Sequence, residues 1–112
     1  MSYVCCSPIA GISLNEKQLN MYFPNGQKRS KPADAVNLRE EVSNFRRSFA
    51  ADNLDDFKFI TNGLFGYFTF DTVAHFEDIT LKTPIDEARN IPFLQYHVYR
   101  YVIAIDHFRN EL

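Results

Sequence analysis

No stretch of this 112-residue chain reaches the ~18 consecutive apolar residues of a membrane-spanning helix. The opening residues lack a basic segment followed by an apolar one. Neither sign of charge dominates: twelve Lys and Arg stand against fourteen Asp and Glu, interspersed, for a net charge of −2. That balance argues against a nucleic-acid surface and against a polybasic membrane contact. A soluble, cytoplasmic chain is therefore expected. Cysteine is nearly missing, since Cys5 and Cys6 are adjacent and alone. Neighbours in a strand point to opposite faces, so a bridge between them would need a strained turn. A disulfide framework is excluded, and two ligands alone do not build a zinc site. The expectation is a pair of small, buried thiols.

Catalytic signatures are equally scarce. His75, His97 and His107 are far apart, and none has a second His or Cys at i+3 or i+4, so metal and triad roles are unsupported. No Ser or Cys occupies a Gly-x-Ser-x-Gly elbow. Gly63-x-x-Gly66 lacks the Lys-Ser/Thr of a phosphate loop and is too short for a dinucleotide fingerprint. Asp52-Asn53-Leu54-Asp55-Asp56 has neither the turn glycine nor the closing Glu of a calcium loop, and reads as a solvated connection. No catalytic, cofactor-binding or metal residue is nominated.

What is present is an aromatic-rich chain, with eleven Phe and six Tyr, of a length that suits one domain. Residues 3–14 read as a first strand or a broken one, with an edge, a bulge or a break expected at Pro8, followed by the hairpin loop Asn15-Glu16-Lys17. Leu19, Met21 and Phe23 alternate with polar partners as in a half-buried strand, which Pro24-Asn25-Gly26 ends. Residues 27–31, with three cations and no apolar side chain, read as a solvated loop. The period then changes. Leu38, Val42, Phe45 and Phe49 fall on one face of a helix expected over residues 34–51, capped by Asp34, with Arg46 and Arg47 near its end. Residues 64–70 and 101–105 are apolar at nearly every position, which predicts strands covered on both faces. Asp71 is read as the cap of a short helical turn, and Asp71 with His75 as an i, i+4 pair. Residues 78–90 are irregular. Together these predict an α+β fold: an antiparallel or mixed sheet of four to five strands covered by one main helix.

Asn62-Gly63-Leu64-Phe65-Gly66-Tyr67-Phe68-Thr69-Phe70-Asp71-Thr72-Val73-Ala74-His75-Phe76-Glu77 also carries a more specific signal. It resembles the Gly-Gly-x-x-Gly-Tyr-x-x-Tyr-Asp-x-x-x-x-Phe-Glu stretch in the N-terminal region of anthranilate synthase component I. The apolar run Tyr101-Val102-Ile103-Ala104-Ile105 followed by Asp106-His107-Phe108-Arg109 is similar to a strand of that family ending in Asp-His-x-Arg. Two such stretches in the right order are far more specific than either one. Asn62 departs from the pattern where the family has a first glycine, but Asn also tolerates the left-handed conformation. The matching positions are Gly63, Gly66, Tyr67, Asp71, Phe76, Glu77, Asp106, His107 and Arg109.

The resemblance implies that residues 1–112 are part of the N-terminal, regulatory domain, cut at both ends and inactive alone. The catalytic chorismate-binding domain would be absent. The family enzyme converts chorismate and glutamine-derived ammonia into anthranilate and pyruvate, is inhibited by tryptophan, and binds Mg²⁺ in its C-terminal region. The implied partners are that region, a glutamine amidotransferase subunit, tryptophan as effector and, through uncovered sheet edges, a second copy of the chain. The rival readings are the sister enzyme, aminodeoxychorismate synthase component I, and a free-standing α+β binding module.

Overall fold

A computed structural model describes residues 1–51, 62–80 and 91–112. Five antiparallel strands form one sheet: β1 (Ser2–Leu14), β2 (Gln18–Tyr22), β3 (Lys28–Pro32), β4 (Phe65–Phe68) and β5 (Leu94–Ile105), in the order β3-β2-β1-β5-β4. Among the described residues one α-helix, α1 (Leu38–Arg47), packs on one face. The α+β expectation holds, with every pairing antiparallel.

Local chemistry explains the connections. Asn15 Oδ1 accepts from the backbone N–H groups of Lys17 and Gln18 at 3.0 and 2.8 Å, which closes the β1–β2 hairpin. Gly26 takes a φ of 81° in the β2–β3 turn, a conformation that glycine adopts without a Cβ clash. Of the edge, bulge or break expected at Pro8, β1 shows the bulge. The pairing with β5 shifts register between Pro8 and Ala10, and Ser7 at φ 57° absorbs the irregularity.

The period-2 pattern builds the core. Ile12 opposite Met21, Leu14 opposite Leu19, and Leu94 and Val98 on β5 share one face of the sheet with Ala10. Leu38 and Phe45 of α1 close over them. Fully burying Ile12, Leu14, Leu19 and Leu38 contributes on the order of 1.5–3 kcal/mol each before entropy. Phe23 meets Phe45 and Phe49 at centroid distances of 5.6 and 6.4 Å, so the residue that follows β2 and the helical segment form one aromatic cluster.

Several expectations are corrected. The cap of α1 is Asn37, whose side chain accepts from Glu40 N–H, while Asp34 lies in a separate 3₁₀ turn, Ala33–Ala35. Asn37 prevails because a helix begun at Asp34 would have to run through Val36, which is extended at φ −115° and ψ 142°. The helix ends at Arg47, and tighter bonds from Phe49 N–H to Arg46 O and from Ala50 N–H to Arg47 O carry Phe49 onto the core. Residues 27–31 are not a loop: Lys28–Pro32 form the edge strand β3. Its cations and proline are the features that keep an exposed edge from recruiting another strand.

Among the described residues the aromatic run at residues 64–70 forms the opposite edge rather than a covered centre. Phe68 and Phe70 are 64% and 80% exposed. Residues 101–105 do lie in an inner strand, yet among the described residues they pair only with the start of β1. This two-stranded ribbon leaves Val4, Tyr101 and Ile103 exposed. For the same reason Cys5 is half-buried and Cys6 exposed, not a buried pair. Burial still raises the Cys5 thiol pKa, with the Cys6 thiol adding to the effect. The acidic connection at residues 52–56 and most of the irregular segment at 78–90 lie outside the described residues.

Candidate functional site: an open polar sheet face

Because side chains alternate along a strand, the residues between the core positions gather on the face opposite α1. Gly11, Ser13, Asn20, Tyr22, Gln95 and His97 line a groove there of about 300 Å³, bordered by Lys28 and Ser30 of β3. Gly11 is its floor. A Cβ at that position would come within 2.5 Å of the Tyr22 ring and 2.7 Å of His97 Nδ1. Glycine there lets both rings lie down on the backbone.

The groove's side chains are connected. The Tyr67 hydroxyl donates to Gln95 Oε1 at 3.3 Å, and Gln95 Nε2 lies 3.1 Å from His97 Nε2. With the amide nitrogen donating, His97 Nε2 is the acceptor and Nδ1–H donates to the Tyr22 hydroxyl, 3.0 Å away. Burial raises the pKa of Tyr22, with Tyr99 adding to the effect, so its hydroxyl stays protonated at neutral pH. Beside this chain the Ser30 hydroxyl donates to Asn20 Oδ1 at 2.8 Å. Tyr3, Phe65, Tyr99 and His97 continue the face as an aromatic row, in contacts of 5.8 to 6.4 Å.

The nine positions singled out in the sequence fall into two groups. Gly63, Gly66 and Tyr67 belong to β4 and its approach, and Asp71, Phe76 and Glu77 to the 3₁₀ segment Phe70–His75 and its exit. Gly66 faces Tyr96, and a Cβ there would overlap the Gln95 carbonyl oxygen. Thr72, fully buried, anchors the 3₁₀ segment by donating to Phe93 O at 2.6 Å. Asp71 supplies no side-chain cap to that segment, whose N-cap is Thr69. Nor do Asp71 and His75 pair. In a 3₁₀ segment positions i and i+3 eclipse, so i+4 is displaced sideways.

Asp106, His107 and Arg109 lie at the far end of β5. Asp106 is ten residues beyond Tyr96, roughly 33 Å at ~3.3 Å per strand residue. There Asp106 Oδ1 accepts from the N–H groups of Phe108 and Arg109 at 2.9 and 3.3 Å, and His107 Nε2 lies 2.6 Å from Ser2 Oγ. The two groups are therefore not brought together. Of the singled-out residues only Tyr67 touches the groove network. Gly11, Tyr22, Gln95 and His97 carried no sequence signal, because their proximity depends on the register of three strands.

Among the described residues no group of three His, Cys, Asp or Glu side chains converges as a metal site. Among them, too, no helix is long and apolar enough to cross a membrane. No family model, curated protein or solved structure matches this chain.

Proposed function

We propose that this chain is part of the N-terminal regulatory region of an anthranilate synthase component I. In the intact protein that region packs against a chorismate-binding catalytic region. The observation that carries the reading is the outward display of the motif's aromatic residues. Phe68, Phe70 and Phe76 are 64%, 80% and 39% exposed along β4 and the segment after it. Large apolar side chains gathered at a sheet edge suit burial by another domain. Gly66 adds support, since its place in the motif corresponds to a close backbone approach that a side chain would block.

In this reading the chain supplies no acid, base or metal ligand to the reaction, and Mg²⁺ chemistry belongs to the catalytic region. Its contribution is regulatory. Tryptophan shifts activity to the extent that it binds one arrangement of the two regions better than the other. A glutamine amidotransferase subunit delivers ammonia to the same catalytic region.

The test uses the native polypeptide that carries this sequence, incubated with chorismate, Mg²⁺ and ammonium, with anthranilate fluorescence as the readout. Anthranilate formation suppressed by tryptophan is the expected result. An aminodeoxychorismate product would move the assignment to the folate-pathway enzyme. No turnover of chorismate would refute both and leave a binding module.

A further inference from the structure

The groove on the open sheet face has a one-sided chemistry. Within its network the acceptors are used internally: Gln95 Oε1 takes Tyr67, His97 Nε2 takes Gln95, and Asn20 Oδ1 takes Ser30. The hydroxyl oxygen of Tyr22 takes His97 Nδ1–H, which leaves the Tyr22 O–H free to donate outward. The Asn20 amide N–H groups and the Ser13 hydroxyl have no partner among the described residues. Lys28 stands opposite Tyr22 in the β2–β3 register and brings a positive charge to the rim. Among the described residues no Asp or Glu lines the groove.

Strand geometry sets the spacing. Asn20 and Tyr22 are two residues apart on β2, about 7 Å, and Ser13 faces Asn20 across about 5 Å. All three side chains line the same groove. We infer that the groove binds the oxyanion of a small carboxylate- or phosphate-bearing ligand, with Tyr22, Asn20 and Ser13 donating to it and Lys28 supplying charge. The volume of about 300 Å³ is at the lower end for small-molecule sites and leaves room for a modest organic body beyond the anion. The inference does not depend on the family reading above.

The experiment is a titration of the isotope-labelled chain with inorganic phosphate and, separately, with acetate, followed by NMR. The ring signals of Tyr22 and His97 and the side-chain amide of Asn20 are the reporters. Saturable shifts at these three with either probe are expected, and the stronger probe tells a tetrahedral from a planar ligand group. Tyr22→Phe, which keeps the ring and removes the donor, should weaken binding about tenfold or more. Lys28→Gln, on an exposed strand where folding is insensitive, should weaken it several-fold and flatten its salt dependence. A protonated His97 Nδ1 and an unprotonated Nε2 in the free chain would agree with the donor assignment. Non-saturating shifts, shifts confined to surface lysines, or binding unchanged in Lys28→Gln would overturn the proposal.

Discussion

Replacing Gly66 with alanine isolates a steric effect from a conformational one. The residue is not at positive φ, so the backbone itself accepts alanine. On intrinsic grounds Gly→Ala in a strand would even stabilise by roughly 0.5–1 kcal/mol. Opposing this, the new Cβ overlaps the Gln95 carbonyl oxygen and comes within 2.7 Å of Tyr96 Cα and 2.8 Å of the Gln95 carbonyl carbon. All three obstacles are backbone, so no rotamer change relieves them. The strands must part instead. Overpacking of this kind costs about 1–3 kcal/mol, and each ladder bond weakened between β4 and β5 adds about 1 kcal/mol. The net expectation is a loss of about 2–4 kcal/mol, a large share of the ~5–15 kcal/mol typical of a domain. Urea unfolding should show a midpoint lowered by about 1–2 M. Amide exchange should speed up at Phe65–Phe68 before it does in β1. Gly26→Ala is the control, because nothing lies within 4 Å of its Cβ position and only its φ of +81° is strained. It should cost about 1 kcal/mol. A Gly66→Ala midpoint within ~0.3 M of the parent, with protection of β4 intact, would refute the close-approach argument.

Two further outcomes follow from residues already placed. Asn37→Ala should destabilise by about 1 kcal/mol through loss of the α1 cap, whereas Asp34→Ala should stay within ~0.5 kcal/mol; thermal melts of the two variants check the order. The fold raises the Tyr22 pKa, so its contribution is complete below the ordinary tyrosine range and is lost as pH rises through the raised value. Stability measured from pH 8 to 11 should therefore fall above about pH 10, and Tyr22→Phe should make that fall shallower. An identical slope in the variant would contradict the sign.

Local patterns were legible because they rest on nearest-neighbour physics. The alternation of Leu19 and Met21, the hairpin at Asn15 and the turn at Pro24-Asn25-Gly26 were readable from a few residues each. So was the apolar face of Leu38, Val42, Phe45 and Phe49, although α1 itself begins and ends inside the expected span. Its cap went to Asn37 rather than Asp34 because two cap-forming residues competed and the extended Val36 between them decided it. Residues 27–31 looked like a loop because an edge strand with no buried face has no apolar period to betray it. The aromatic runs misled for the opposite reason. An apolar strand reads the same whether another layer covers it or, as at Phe68 and Tyr101, nothing among the described residues does.

The sequence by itself determined most of the element types, one main helix over a sheet and the motif residues that carry the family resemblance. Only the tertiary structure decided strand order. With it came the roughly 30 Å separation of Gly66 from Asp106 and the assembly of Tyr22, Gln95 and His97 over Gly11. Those depend on which strands become neighbours and in what register, a choice set by contacts between residues distant in the chain.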